Sequence, residues 1–193
     1  ALINVPFEGL LIVQQHPYSV LTSEQVNGQL IFTPCPGTKG TSVAEALVTL
    51  KEAGASALLT LMPIEELNQN GVDNLPAQCQ QLDIEWFHLP VEDDQPPGEL
   101  FKTAWDASRE RIKQLLADGE SVAIHCKGGS GRTGLIAAQL LMECGLPLID
   151  AVNKVQVLRP RAIQHPAHID YIRKLDTTQP QLLVDSNPGR VQT

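Results

Sequence analysis

Ten consecutive residues carry the densest chemistry of the chain: His125-Cys126-Lys127-Gly128-Gly129-Ser130-Gly131-Arg132-Thr133-Gly134. The glycines let the backbone curl tightly, so that several N–H groups of residues 127–131 point into one small bowl. An apolar run begins directly afterwards. The bowl therefore opens onto a helix N-terminus, where unpaired N–H groups and the helix dipole favour an anion. Arg132 adds a planar guanidinium able to hold two oxygens of a phosphate at once. Cys126 sits at the floor. The donors that hold a phosphate also favour a thiolate, the nucleophilic form of cysteine. A thiolate beside a bound phosphoryl group can attack phosphorus in line. Thr133 can donate to that thiolate or to the departing sulfur, and His125, preceding it, is placed to pin the loop backbone.

A single cysteine is more often a small buried hydrophobe, and Cys144 on its apolar helix reads that way. Around Cys126 the strand, glycine bowl, arginine and helix start occur together. The segment Gly129-Ser130-Gly131-Arg132-Thr133-Gly134 also fits G-x-G-x-x-G, the dinucleotide fingerprint. Too little chain follows for a second nucleotide-binding half. Asp150, at about the right distance for the ribose acid, opens a helix instead of ending a strand. It is not a Walker loop either, since no lysine precedes Thr133.

Cleaving a phosphate ester requires a proton on the leaving oxygen. The segment Pro90-Val91-Glu92-Asp93-Asp94-Gln95-Pro96-Pro97 follows a strand that should end near the bowl, and its prolines suit a defined loop. Three carboxylates compete there: Glu92, Asp93 and Asp94. The same group, once deprotonated, could activate the water that hydrolyses a cysteinyl-phosphate.

The elements that must position these groups alternate. Short strands are expected at 9–14, 29–33, 57–62 and 84–89, and at Ser121–His125. Ser42 with Glu45 forms a capping box, and Val43, Ala46, Leu47 and Leu50 repeat at helical spacing up to Gly54. A helix is expected at 78–82. After Pro96-Pro97 comes a long amphipathic pattern through Phe101, Ala104, Trp105, Ser108, Ile112 and Leu115, closed by Gly119. Further helices run from the bowl to about Cys144, over Leu148–Leu158 and over Pro166–Leu175. This pattern implies one α/β domain over residues 1–176, a central, largely parallel sheet with helices on both faces. Residues 177–193 read as a polar, mobile tail. Ligands of such sheets bind beyond the carboxyl ends of the strands, where the bowl lies.

Composition sets outer limits. With 42% hydrophobic and 19% charged residues the chain reads as a soluble globular protein. A net charge of −8 without a Lys/Arg cluster argues against nucleic acid or an anionic membrane surface as the main partner. The longest apolar run, around 135–142, is broken by Gln139, so no transmembrane segment is expected. Ala1, Leu2 and Ile3 lack a basic leader, so no secretory signal is expected and a reducing cytoplasm is the expected compartment. The four cysteines Cys35, Cys79, Cys126 and Cys144 have no C-x-x-C or zinc spacing. No metal or cofactor is expected. Cys35 and Cys79 are candidates to capture an oxidised Cys126 as a disulfide.

The ten-residue loop resembles the active-site loop of the cysteine-dependent protein tyrosine phosphatase superfamily, H-C-x5-R-[S/T]-G, in its dual-specificity branch. The likeness extends over roughly residues 29–175. Pro36-Gly37-Thr38-Lys39 followed by a helix is similar to the same region of kinase-associated phosphatases. Leu158-Arg159-Pro160-Arg161-Ala162-Ile163-Gln164 is similar to the R-P-G-A-I segment of this branch. The resemblance implies a dual-specificity phosphatase-like fold and metal-independent hydrolysis of phosphate monoesters through a cysteinyl-phosphate. It implies a phosphorylated protein as substrate, with phosphotyrosine, phosphoserine or phosphothreonine accepted. From the P-x-x-D pattern, which continues into the two prolines, it assigns the acid to Asp93, with Asp94 second.

The resemblance also places a polar residue, Gln164, and His168 where water-positioning groups stand. His168 replaces the usual glutamine, and a packed surface histidine at a helix start is the reading favoured over a role in catalysis. Arg161 replaces glycine and Gln156 an arginine, which bears on the pocket rim. Lys127 after the cysteine also occurs in phosphoinositide phosphatases, but Ser130 stands where those carry a second basic residue. A phosphoinositide, inositol phosphate or other small phosphate is the alternative substrate. A phosphate-binding module without turnover is the distant one.

Overall fold

The computed structural model describes residues 14–177. The strand expected at 9–14 and the tail expected at 177–193 lie outside these residues, apart from their ends at Gln14 and Thr177. Three helices precede β4 and four follow it. The order is β1 (Ser19–Leu21), β2 (Leu30–Thr33), α1 (Val43–Glu52), β3 (Ala55–Thr60), α2 (Ile64–Gln69), α3 (Leu75–Gln81), β4 (Glu85–His88), α4 (Glu99–Ala117), β5 (Ser121–His125), α5 (Gly131–Glu143), α6 (Leu148–Leu158) and α7 (Pro166–Leu175).

The strands form one five-stranded sheet in the order β1-β2-β5-β3-β4. Only the β1–β2 pair is antiparallel; β2, β5, β3 and β4 run parallel. Alternation along the strands sends side chains to two cores. Phe32, Leu59, Val122 and Ile124 face α4 to α7, while Ile31, Leu58 and Ala123 face α1 to α3. With both faces covered, the central strands are almost wholly buried, and their polar residues gather toward the ends, at Thr33, Thr60, Ser121 and His125. No described helix is long and apolar enough to cross a membrane.

Local signals account for most boundaries. Ser42 Oγ accepts from the Glu45 N–H and Glu45 accepts from the Ser42 N–H, a complete capping box that starts α1. Gly119, at φ +85°, turns the chain out of α4 into β5. Two elements were not anticipated from sequence. β1 is a three-residue edge strand with one buried side chain. The six-residue helix α2 starts at Pro63 without a side-chain cap.

The register brings three strand ends to one place. Thr33 of β2 and Thr60 of β3 both pair with His125, the last residue of β5. β5 is central, so the chain leaving it enters a crevice with strand ends on either side.

Candidate active site

Between β5 and α5 the chain bends around Cys126, which is 4% exposed. The Thr133 hydroxyl, from the first turn of α5, donates to its Sγ at 3.2 Å. Gly129 has φ +73°, and a Cβ there would lie 2.5 Å from the Thr33 carbonyl carbon. Only glycine lets the loop pass this close to β2. Gly134 allows a second close approach, since a Cβ would meet that of Ala162 at 2.5 Å. Ser130, the N-cap of α5, makes no side-chain capping bond. The first N–H groups of the helix are thus left for another acceptor. Lys127 and Gly128 are exposed, and Ser130 and Gly131 half-buried.

The loop is tied down from outside. Cys35 N–H donates to the Lys127 carbonyl at 3.0 Å, and Arg159 Nε donates to the Gly129 carbonyl at 2.8 Å. Arg159 also reaches Ser19 of β1 at 3.1 Å and lies over the Phe32 ring. Below, His125 is fully buried and forms a chain of polar contacts. Trp86 Nε1 donates to Thr60 Oγ1 at 2.8 Å, and Thr60 Oγ1 meets His125 Nε2 at 2.7 Å. His125 Nδ1 lies 3.2 Å from the Cys126 carbonyl, which can only accept. The ring therefore carries its proton on Nδ1, and Nε2 accepts a hydrogen bond from the Thr60 hydroxyl. Burial pushes the His125 pKa down to about 4, the Cys126 carbonyl opposing, so this neutral form is the one present at pH 7.

Arg132 is 2% exposed and held end-on by Glu66, with Nη1 at 2.7 Å and Nη2 at 2.9 Å from its two oxygens. Nη1 also donates to the Val91 carbonyl at 2.9 Å. Nε makes no hydrogen bond among the described residues, and the second Nη2 proton faces Asp93 Oδ1 at 3.4 Å. The edge formed by Nε and Nη2 is the two-pronged one that fits a phosphoryl group.

The chain 92–97 folds beside this edge. Val91 N–H donates to the Leu61 carbonyl and Gln95 N–H to the Glu92 carbonyl. Asp94 sits at φ +55°, a left-handed conformation that Asp tolerates. The turn points Asp93 at Arg132, and Asp94 acts electrostatically on His168 of α7. His168 Nε2 donates to the Gln95 carbonyl at 3.0 Å.

The chain matches, over residues 36–146, the family described as "Polymorphic toxin system, DSP-PTPase phosphatase". The chain belongs to this family. It is also 31% identical over 104 residues to protein tyrosine phosphatase type IVA 2 of Mus musculus, covering 49% of this chain and 62% of that protein. To cyclin-dependent kinase inhibitor 3 of Rattus norvegicus it is 31% identical over 109 residues, covering 56% and 48%. It thus spans less than two thirds of either relative. The structure is similar to kinase associated phosphatase with a serine in place of its catalytic-site cysteine. That likeness has a TM-score of 0.75 at 26% identity and covers 84% of this chain and 94% of that one.

Within this DSP-PTPase fold, Cys126, Arg132, Thr133, Asp93 and residues 127–131 converge on one crevice. One expectation changes. His168 is not a surface histidine: it is 3% exposed, covered by the 92–97 loop and bonded to it. Gln164 is exposed, and its amide donates to the Pro160 carbonyl at 3.4 Å. Of the departures from the family pattern, Arg161 is exposed, and Gln156 bonds the Ala162 carbonyl at 3.0 Å, bracing the segment against Gly134.

The remaining cysteines divide by position. Burial pushes the Cys35 thiol up to about 12, with the charges of Glu66 and Cys126 adding to the effect, so it lies within electrostatic reach of Cys126. Cys79 is also pushed up to about 12 by burial, in the core that α1 and α3 cover. Cys126 belongs to the other core. Sequence reasoning missed Glu66 and Arg159 as site residues. Arg159 stood in a recognisable motif. Glu66 could not be told from Glu65 without the fold of α2.

Proposed function

We propose that the protein is a metal-independent phosphatase that hydrolyses phosphate monoesters of proteins through a cysteinyl-phosphate on Cys126. The observation that carries this reading is the pairing of a Cys126 sulfur that receives the Thr133 hydroxyl with an Arg132 whose Nε–Nη2 edge is engaged by the exposed Asp93 at 3.4 Å alone. Loop N–H groups of residues 127–131 and the start of α5 would take the phosphoryl oxygens. Cys126 thiolate attacks phosphorus, the P–O bond breaks, and Asp93 gives its proton to the leaving oxygen. Asp93, now a carboxylate, takes a proton from a water that attacks the same phosphorus. The S–P bond breaks, thiolate returns and inorganic phosphate leaves.

Arg132 is fixed by Glu66 and Val91 on one side before substrate arrives, so little reorganisation is needed in the transition state. Asp93, at 3.4 Å from Nη2 and largely exposed, can leave that contact when phosphate takes it over. His168 holds the loop that carries Asp93, while Gln164 would need to leave Pro160 to reach a water. The phosphorylated partner would be a protein bearing phosphotyrosine, phosphoserine or phosphothreonine. A reducing, cytoplasmic compartment suits four free cysteines and a thiolate nucleophile. One observation favours a second reading: Lys127 is exposed beside the bowl without an ion pair among the described residues, a place for a second phosphate of a phosphoinositide.

Cys126→Ser should bind substrate without turnover, vanadate should inhibit the native protein, and EDTA should not. Retained activity in Cys126→Ser, or loss with EDTA, would overturn the thiol mechanism. Rates on phosphopeptides, inositol phosphates and phosphoinositides separate the two substrate readings.

A further inference from the structure

The 92–97 loop has two sides. Asp93 faces Arg132, and on the other side Glu92, Gln95 and Pro96 wall a groove of about 440 Å³. Its floor is apolar, built from Pro90 and Phe101 with Ile64 at the start of α2 and Leu100 at the start of α4. Ile64 is 47% and Leu100 77% exposed, so two large apolar side chains stand open to water beside the bowl. Glu65 and Glu99 join Glu92 at the rim, all three exposed. None of the three has an ion-pair partner among the described residues, and Lys102, one turn beyond Glu99, makes no such contact. The groove and the bowl share walls at consecutive residues: Glu65 lines the groove while Glu66 grips Arg132, and Glu92 lines it while Asp93 faces the bowl.

We propose that this groove is a substrate-docking surface for a phosphorylated polypeptide with an apolar residue and Lys or Arg side chains a few positions from the phosphorylated one. This rests on the phosphatase reading and narrows its substrate class. The apolar residue covers Ile64 and Leu100, and removing that surface from water drives docking. The basic side chains meet Glu65, Glu92 and Glu99, which discriminate by charge. Carboxylates at this position repel a second phosphate or an acidic flank, so the surface selects against multiply phosphorylated lipids and acidic peptides.

The test uses two phosphotyrosine peptides sharing one leucine, one flanked by Arg and Lys, the other by Asp and Glu. An aryl phosphate and phosphatidylcholine vesicles carrying a phosphoinositide complete the set. At low salt the basic peptide should be turned over with kcat/KM about 3–10-fold above the acidic one, the scale of a few screened surface ion pairs. The ratio should shrink as salt rises. Glu65→Lys with Glu99→Lys should erase or invert the preference and leave the aryl phosphate rate within about twofold, since neither residue touches the bowl. Dissociation constants of the same peptides for Cys126→Ser, with and without the two reversals, read docking without turnover. They keep the groove testable even if the wild type hydrolyses nothing. Equal kcat/KM and equal binding of the two peptides, a preference that survives charge reversal, or vesicle phosphoinositide preferred over the basic peptide would each overturn the proposal.

Discussion

Glu66 grips Arg132 end-on at 2.7 and 2.9 Å and so decides which edge of the guanidinium faces the bowl. The pair is nearly dry, with Arg132 2% and Glu66 19% exposed. A buried pair of this kind adds little net stability by itself, but removing one partner leaves a buried charge uncompensated, at a cost of roughly 3–5 kcal/mol. Glu66→Ala should therefore lower the thermal midpoint and cut kcat/KM by ~10²-fold or more. Glu66→Gln should recover little, because its amide N–H would face a guanidinium N–H. An unchanged rate in Glu66→Ala, with the fold intact by circular dichroism, would mean that Val91 alone orients Arg132.

Asp93 and Asp94 are neighbours with different outlooks, one toward Arg132 and one toward His168. Asp93→Asn should slow hydrolysis of an alkyl phosphate such as phosphoserine by ~10²–10⁴-fold, and an activated aryl phosphate much less. The alkaline limb of the kcat/KM profile should flatten. Asp94→Asn should preserve both features. If the leaving-group dependence belongs to Asp94→Asn instead, the acid is one residue later.

His168 tethers the same loop through the Gln95 carbonyl. His168→Ala removes the donor and frees the loop, so alkyl phosphates should lose about tenfold and aryl phosphates little. His168→Gln keeps an N–H for the carbonyl and should restore most of the rate. A merely structural role would depress both substrate classes alike and would not be rescued.

Burial holds His125 neutral, with a folded pKa of about 4 against 6.5 when unfolded. The folded state thus disfavours the proton. Its stability contribution is full above pH 6.5 and is lost as the pH falls through the window down to about 4. At about 1.4 kcal/mol per unit, the loss across this window is roughly 3 kcal/mol. Burial also lowers the His16 pKa, which adds a change of the same sign. Urea denaturation between pH 7.5 and 5, above most carboxylate titration, should give a falling unfolding free energy. A flat profile there would mean that the two rings take up protons without unfolding.

Much of this architecture was legible because local and tertiary signals agree. The capping box at Ser42 and Glu45, the glycine exit at Gly119 and the strand–bowl–helix sequence from Ser121 onward each specify their element within a few residues. The bowl and its neighbour loop were legible because chemistry restricts which residues can build them. Other features depended on distant partners. α2 is six residues long and uncapped, and which of Glu65 and Glu66 turns inward depends on where Arg132 lies. His168 looks like a surface residue until the loop 73 positions earlier closes over it. β1 is too short and too exposed to leave an alternating pattern.

The central claim is the covalent intermediate on Cys126, and trapping it is the most direct measurement. Asp93→Asn should still form the cysteinyl-phosphate from an activated aryl phosphate, whose leaving group needs no proton. Its breakdown should be slow, because no base activates the water. Rapid acid quench followed by peptide mass spectrometry should find one phosphoryl group on the Cys126 sulfur, absent in the Asp93→Asn, Cys126→Ser double variant. A phosphoryl group on another residue, or turnover of the aryl phosphate with no burst of its alcohol and no adduct at any time, would contradict the account.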